Sequence, residues 1–298
     1  MALQEKLKGT GVAVVTPFDK SGGIDFQSYE KLLNHIIDRD VEYVVALGTT
    51  GETPVLDMEE KIQIINSTYS IVNGRVPVVI GVGGNHTASV IKDLQNLPLE
   101  QAAAVLSASP YYNKPSQEGI FHHYKTLAEV SPRPVILYNV PGRTGRNMTA
   151  ATTLRLAREV SNIAGIKEAS GDLLQCMEIL KDRPSGFLVL SGDDGLALPQ
   201  MACGMDGVIS VAANCFPKEF STMIRDCLKQ DFISARKLND TLMEAYDLLF
   251  TENNPAGAKA FLFEMGIIRE NELRLPLVPL SRDLQGSIRK YLEVRPQS

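Results

Sequence analysis

Short apolar runs alternate with amphipathic stretches along most of the chain. The first run, GVAVVT (11–16), is followed by DFQSYEKLLNHIIDRD (25–40), whose apolar residues recur at helical spacing, and then by the run EYVVALG (42–48). Six more runs follow: VPVVIGVG (76–83), AAAVLSAS (102–109), PVILYN (134–139), IAGIKEAS (163–170), FLVLSG (187–192) and GVISVA (207–212), each succeeded by a segment of helical period. The runs are continuously apolar rather than alternating, which suits parallel strands covered by helices. They end about 28 residues apart on average, roughly the length of a strand–helix–strand crossover. Eight such units predict an α/β protein, a closed (β/α)8 TIM barrel. A doubly wound open sheet is the competing architecture, which the even count of eight disfavours. Beyond about residue 217 the strand signal stops, and helices are predicted near 217–229, 231–252, 255–265 and 281–293, with loops at TENNPAGA (251–258) and RLPLVPLS (274–281). The expected organisation is a barrel over residues 1–225 and a C-terminal helical extension over 226–298.

Composition narrows this picture modestly. The chain has 298 residues, enough for a barrel of about 250 with an appendage. Its net charge of -5 and lack of a basic patch argue against nucleic acid as a partner. The opening MALQEKLKGTG lacks the apolar core of a signal peptide and no stretch reaches bilayer length, so a cytoplasmic location with no membrane partner is expected. Cys176, Cys203, Cys215 and Cys227 show no C-x-x-C spacing and read as reduced, mostly buried thiols. His35, His86, His122 and His123 match no metal spacing and are assigned to helix surfaces or ends, so no metal is expected.

In a barrel of this kind the reacting groups lie at the C-terminal ends of the strands and in the loops that follow. Lys31, Lys61, Lys92, Lys125, Lys181 and Lys237 occupy polar faces of predicted helices, where a solvated charge is the plain explanation. Lys167 differs, because it follows Ile163-Ala164-Gly165-Ile166 on a strand whose walls are apolar. A lysine there is either paired or partly neutral, and the neutral amine is the form that attacks a carbonyl. An ion pair with Glu168 or another strand-end acid is the competing explanation, and the two stand level.

Four other constellations occupy strand ends. Gly48-Thr49-Thr50-Gly51-Glu52 can turn backbone N–H groups inward as a cradle for a carboxylate, or can be an ordinary turn with a threonine cap. Tyr111-Tyr112 and Tyr138 put phenols where they could move protons, against the commoner case of a packed ring with a solvent-facing hydroxyl. Arg143, between glycines, can grip a carboxylate with two hydrogen bonds or be a surface loop residue. Asp193-Asp194 are assigned as helix caps in preference to a metal or base role. IGVGGN (80–85) is not a dinucleotide fingerprint, so no nucleotide cofactor is expected.

Taken together, GTTGE (48–52), PYYNKPS (110–116), YNVPGRTG (138–145), GIKEASGD (165–172), SGDD (191–194) and GVISV (207–211) resemble, in order and spacing, the dihydrodipicolinate synthase family of pyruvate-dependent Schiff-base aldolases. The likeness covers almost the whole chain. GTTGE and the strand-six lysine belong to the wider group, whereas YNVPGRTG points to this family rather than to N-acetylneuraminate lyase. The resemblance implies that Lys167 forms an imine with pyruvate and that Thr50, with its neighbouring amides, holds the pyruvate carboxylate. Thr49, Tyr138 and Tyr112 would form a proton relay, Tyr112 reaching into a neighbouring subunit. Arg143 would bind the carboxylate of L-aspartate 4-semialdehyde, and Gly192 and Ile209 would line the pocket. No cofactor is implied, and the protein would be a homo-oligomer, a dimer or a tetramer of two dimers. The rivals are another pyruvate aldolase such as a sialic acid or keto-sugar-acid lyase, a non-catalytic binding barrel, and a phosphate-handling isomerase barrel, which the acids of SGDD disfavour.

The chain departs from lysine-inhibited members of that family. Those carry histidines after GTTGE and a glutamate shortly after the asparagine that is here Asn85, whereas this chain has Met58, Lys61 and Ser89. A lysine effector needs a carboxylate for its ammonium, and Lys61 would repel it. Feedback inhibition by lysine is therefore expected to be weak or absent despite the matching Asn85 and Tyr111. Potent inhibition by lysine in an activity assay would refute this.

Overall fold

The computed structural model describes residues 3–295. Each apolar run overlaps one strand: β1 (Gly9–Ala13), β2 (Tyr43–Ala46), β3 (Val78–Gly81), β4 (Ala104–Ala108), β5 (Val135–Asn139), β6 (Ile163–Glu168), β7 (Leu188–Ser191) and β8 (Gly207–Ser210). All pair in parallel in chain order, and β8 pairs back with β1, so the sheet closes and the open doubly wound alternative is excluded. β1 starts two residues before its apolar run, because Gly9 and Thr10 pair with Gly207 and Val208. Gly9 carries no strand preference, and its pairing is imposed by closure.

Inward and outward side chains fill separate layers. Ala13, Tyr43, Val45, Val79, Leu106, Ile136, Tyr138, Leu188, Leu190 and Ile209 form the barrel interior, with Leu7 plugging the N-terminal end. The outward residues, such as Val44, Ile80, Val105, Leu137, Ile166 and Val189, pack under the helices. Tyr43 fits only because Gly11 faces it, since a Cβ at Gly11 would lie 2.1 Å from the tyrosine ring. This is the side-chain-filled interior of a TIM barrel rather than a pore.

After the short α1 (Leu3–Lys6), α2 (Phe26–Ile37), α3 (Met58–Val72), α4 (Thr87–Asn96), α5 (Gln117–Val130), the single turn α6 (Pro141–Thr144), α7 (Ala150–Glu159), α8 (Leu173–Asp182), α9 (Ala197–Ala202) and α10 (Pro217–Leu228) wrap the barrel. Besides Asp25 on Ser28 at α2, four of these starts are fixed by side-chain caps: Asp57 in a capping box with Glu60, Ser116 on Gly119, Thr149 on Thr152, and Asp172 on Leu174 and Gln175. They set the lengths of the loops after β2, β4, β5 and β6. The extension is α11 (Phe232–Phe250), α12 (Ala256–Glu264) and α13 (Arg282–Val294), all close to their predicted spans. Phe216, just after β8, meets Phe261 and Tyr291 edge-on at 5.5 and 6.1 Å, joining the extension to the barrel.

The four cysteines are unpaired, and Cys176, Cys215 and Cys227 are buried. Among the described residues no helix is long and apolar enough to cross a membrane. Two histidines lie deeper than a helix-surface assignment allows. His35 and His123 sit on the inner faces of α2 and α5, and burial pulls each imidazole down to about 4. A folded-state value below the ordinary 6.5 of histidine means that the unfolded chain takes up protons first as the pH falls. Stability from these groups is therefore complete above about 6.5 and is lost on descending towards 4. In urea titrations over that window, His123→Asn is expected to lose about 1–3 kcal/mol less stability than wild type, and parallel losses would contradict this.

Candidate active site

Side chains alternate along β6, so Ile166 and Glu168 face the helices and Lys167 faces the barrel mouth. Lys167 is 5 % exposed, and its Nζ lies 4.5 Å from the ring centroid of Tyr138, its register partner on β5. Gly192, at the end of β7, makes room for the lysine shaft: a Cβ there would fall 2.9 Å from Lys167 Cε. The ion pair with Glu168 is not formed. That carboxylate accepts from Asn139 Nδ2, Ser170 N and Gln175 Nε2 at 2.8–3.1 Å on the other side of the strand. Among the described residues, Lys167 Nζ has no carboxylate within ion-pair distance and no hydrogen bond, and it lies against the Tyr138 ring face.

The GTTGE loop forms a single tight turn, Thr49–Gly51, rather than a threonine-capped helix start; the cap position, Gly48, offers no side chain. Leu47 and Glu52 flank it in the left-handed region, at φ +56° and +54°, a conformation that non-glycine residues hold only when the surroundings enforce it. Those surroundings come from the C-terminal extension. Asn254 Nδ2 donates to Thr50 Oγ1 at 2.9 Å, and Thr16 Oγ1 donates to Gly51 O at 2.8 Å. Glu52 is paired with Lys259 of α12, both side chains fully buried. Lys259 also donates to Glu272 O at 2.9 Å and lies over the Phe18 ring. Burial draws the Lys259 ammonium down to about 8, opposed by Glu52. Arg274 completes the lock, donating its backbone N–H to Glu52 and its guanidinium to Glu60.

The remaining residues named from sequence fall as follows. Thr50 is buried in the turn and Thr49 is half-buried. Tyr138 is buried against Lys167, and Ile209 lies in the interior layer on β8. Tyr112 does not join them: its side chain is 88 % exposed at the tip of the loop after β4, at φ +69°, anchored by its backbone N–H to Thr144 O. Arg143, on α6, is exposed, but its Nη2 donates to Asn253 Oδ1 at 2.9 Å and to Asn254 O at 3.2 Å. The arginine is thus held by the extension rather than loose on the surface.

The capping role assigned to Asp193 and Asp194 does not hold. Neither caps the turn it precedes. Asp194 is fully buried and accepts the backbone N–H groups of Val211 and Ala212 at 3.0 and 2.8 Å, tying the β7 loop to the β8 loop. Burial raises both carboxyls above the usual range, with Lys167 opposing. Asn253, Asn254, Lys259 and Arg274 escaped the reading from sequence altogether. One signal was available: Lys259 is the sole charge in AGAKAFL, a segment of α12 that is apolar all round and buried throughout.

The fold and the mouth together define a class, a (β/α)8-barrel enzyme with a buried lysine at the C-terminal end of β6. The chain belongs to the dihydrodipicolinate synthetase family, whose sequence profile matches residues 6–295. It is 51% identical to a 4-hydroxy-tetrahydrodipicolinate synthase of Parabacteroides distasonis, over 96% of each chain. Among solved structures it superposes on dihydrodipicolinate synthase from Thermotoga maritima with a TM-score of 0.94 and 38% identity, covering 97% of this chain and 98% of that one. It also superposes on the Acinetobacter baumannii enzyme complexed with pyruvate, with a TM-score of 0.93 and 41% identity over 96% and 98% of the two chains.

Removing one partner of the buried Lys259–Glu52 pair strands the other charge. Lys259→Met is expected to cost about 3–5 kcal/mol in denaturant unfolding, and adding Glu52→Gln to it should restore most of the loss. Additive losses would show that the two side chains are not coupled.

Proposed function

We propose that this chain is a 4-hydroxy-tetrahydrodipicolinate synthase, joining pyruvate to L-aspartate 4-semialdehyde through an imine on Lys167. The observation that carries the reading is the buried, unpaired Lys167 nitrogen beside the Tyr138 ring in a barrel of this family. The Lys167 amine adds to the pyruvate keto carbon and water leaves, giving an iminium. That iminium acidifies the adjacent methyl group, and Tyr138 assists removal of its proton to give an enamine. The enamine carbon attacks the aldehyde carbon of the semialdehyde, whose oxygen takes up a proton. The amino group of the joined product then attacks the imine carbon, closes the ring and frees Lys167. No electron acceptor is consumed, so the proposal includes no cofactor.

The remaining assignments follow the same geometry. Thr50 and the amides of Thr49 and Thr50 receive the pyruvate carboxylate, the Gly51 amide being spent on Gly48 O at 3.0 Å. Thr49 and Tyr138 serve the proton relay inside the chain. Gly192 and Ile209 form the wall beside the lysine. Among the described residues Arg143 Nε and Nη1 have no hydrogen-bond partner and remain to donate to the semialdehyde carboxylate. Tyr112 completes the relay from a second copy, which explains an exposed tyrosine held in a left-handed conformation. The working unit is then a cytoplasmic homo-oligomer, with the catalytic barrel at 1–225 and the helical extension at 226–298 buttressing it.

A coupled assay offering pyruvate with aspartate semialdehyde or with sugar aldehydes tests the assignment. The semialdehyde is expected to be preferred, with Arg143→Ala lowering kcat/KM for it by ~10²-fold and leaving KM for pyruvate nearly unchanged. Preference for a sugar aldehyde, or an Arg143→Ala variant with undiminished use of the semialdehyde, would overturn it.

A further inference from the structure

The polar contacts at the barrel mouth converge on one dipeptide outside the barrel. Asn253 and Asn254 lie between α11 and α12, and together they touch both anchors assigned above to the substrates' carboxylates. Asn254 Nδ2 donates to Thr50 Oγ1 at 2.9 Å; Asn253 Oδ1 and Asn254 O accept from Arg143 Nη2. Asn254 is 4 % exposed, its backbone N–H is tied to Asn253 Oδ1 at 2.9 Å, and its Oδ1 is buried with no hydrogen-bond partner among the described residues. A side chain of this kind does not drift.

Resting on the functional reading above, we infer that Asn254 is the positioning residue that fixes the direction of the Thr50 hydroxyl and so sets affinity for the keto acid. A threonine hydroxyl has one hydrogen and two lone pairs. When Asn254 supplies an N–H to one lone pair, the threonine hydrogen is not spent on Asn254 and can be donated to a carboxylate seated in the turn. Without that donor, the hydroxyl can turn its hydrogen elsewhere, and the cradle loses a charge-assisted bond although every group that lines it is still present. The polarity is decisive: an acceptor in place of Asn254 would take the threonine hydrogen away from the substrate.

Asn254→Asp keeps the shape and reverses the polarity. In steady-state condensation assays it is expected to raise KM for pyruvate about tenfold or more, with kcat within about threefold of wild type. Thr50→Val should raise KM comparably, and Asn254→Asp in the Thr50→Val background should add little, because the asparagine acts only through the threonine. A merely structural role would instead lower kcat and melting temperature and would add to the Thr50→Val effect. Should the aspartate variant fail to fold, Asn254→Ala and Asn254→Ser carry the same cycle, with smaller KM increases that again vanish on Thr50→Val. A wild-type pyruvate KM in Asn254→Asp, or additive effects in the double variant, overturns the inference while leaving the functional reading intact. Wild-type protein with no pyruvate-dependent condensation overturns both.

Discussion

A lysine nitrogen buried at the barrel mouth with no ion-pair partner among the described residues is the constraint around which this molecule is arranged. Burying such a group without a partner is costly, and a barrel built only for stability would pair it or replace it. Here the nearest acid in sequence, Glu168, is turned to the opposite face by strand alternation and occupied by Asn139, Ser170 and Gln175. The adjoining loop narrows to Gly192 so that the lysine shaft can lie flat, and Tyr138 presents its ring face. An amine kept free of an ion pair in this way is suited to covalent capture of a keto acid, and on the proposed reading the rest of the mouth follows from where that keto acid sits.

On the proposed reading, the second requirement is a carboxylate cradle that keeps its shape. The Thr49–Gly51 turn is flanked by two residues in left-handed conformations, which cannot be stable from local preference alone. The extension meets the cost. Asn254 reaches Thr50, Lys259 reaches Glu52, and Arg274 reaches both Glu52 and Glu60. The segments after β8 therefore hold the shape of this turn from outside the barrel. A buried ion pair such as Lys259–Glu52 is poor evidence for stability as such, but it fixes geometry, because each charge is tolerable only beside the other.

Much of the fold was legible because the interior of a TIM barrel demands continuous apolar strands at a regular interval, and the chain keeps that interval from GVAVVT to GVISVA. The site was legible where one residue type was out of place, as Lys167 was on an apolar strand. It was not legible where function depends on partnership at a distance. Nothing near Asn254 in sequence announces Thr50, about two hundred residues away, and Asp194 read as a local cap while its acceptors were needed by the loop after β8. Tyr112 marks a different limit: its exposed side chain on a left-handed residue gains a role only on the proposed reading, in which it serves a second copy. His35 and His123 were misjudged because helical periodicity gives a face but not how deeply that face is packed.

The most direct test of the central claim is borohydride reduction of the protein with pyruvate, followed by peptide mass mapping. The account predicts one stable adduct per chain, on Lys167, and none in Lys167→Ala. A pyruvate-dependent adduct on another lysine, or none at all in an active preparation, would contradict it.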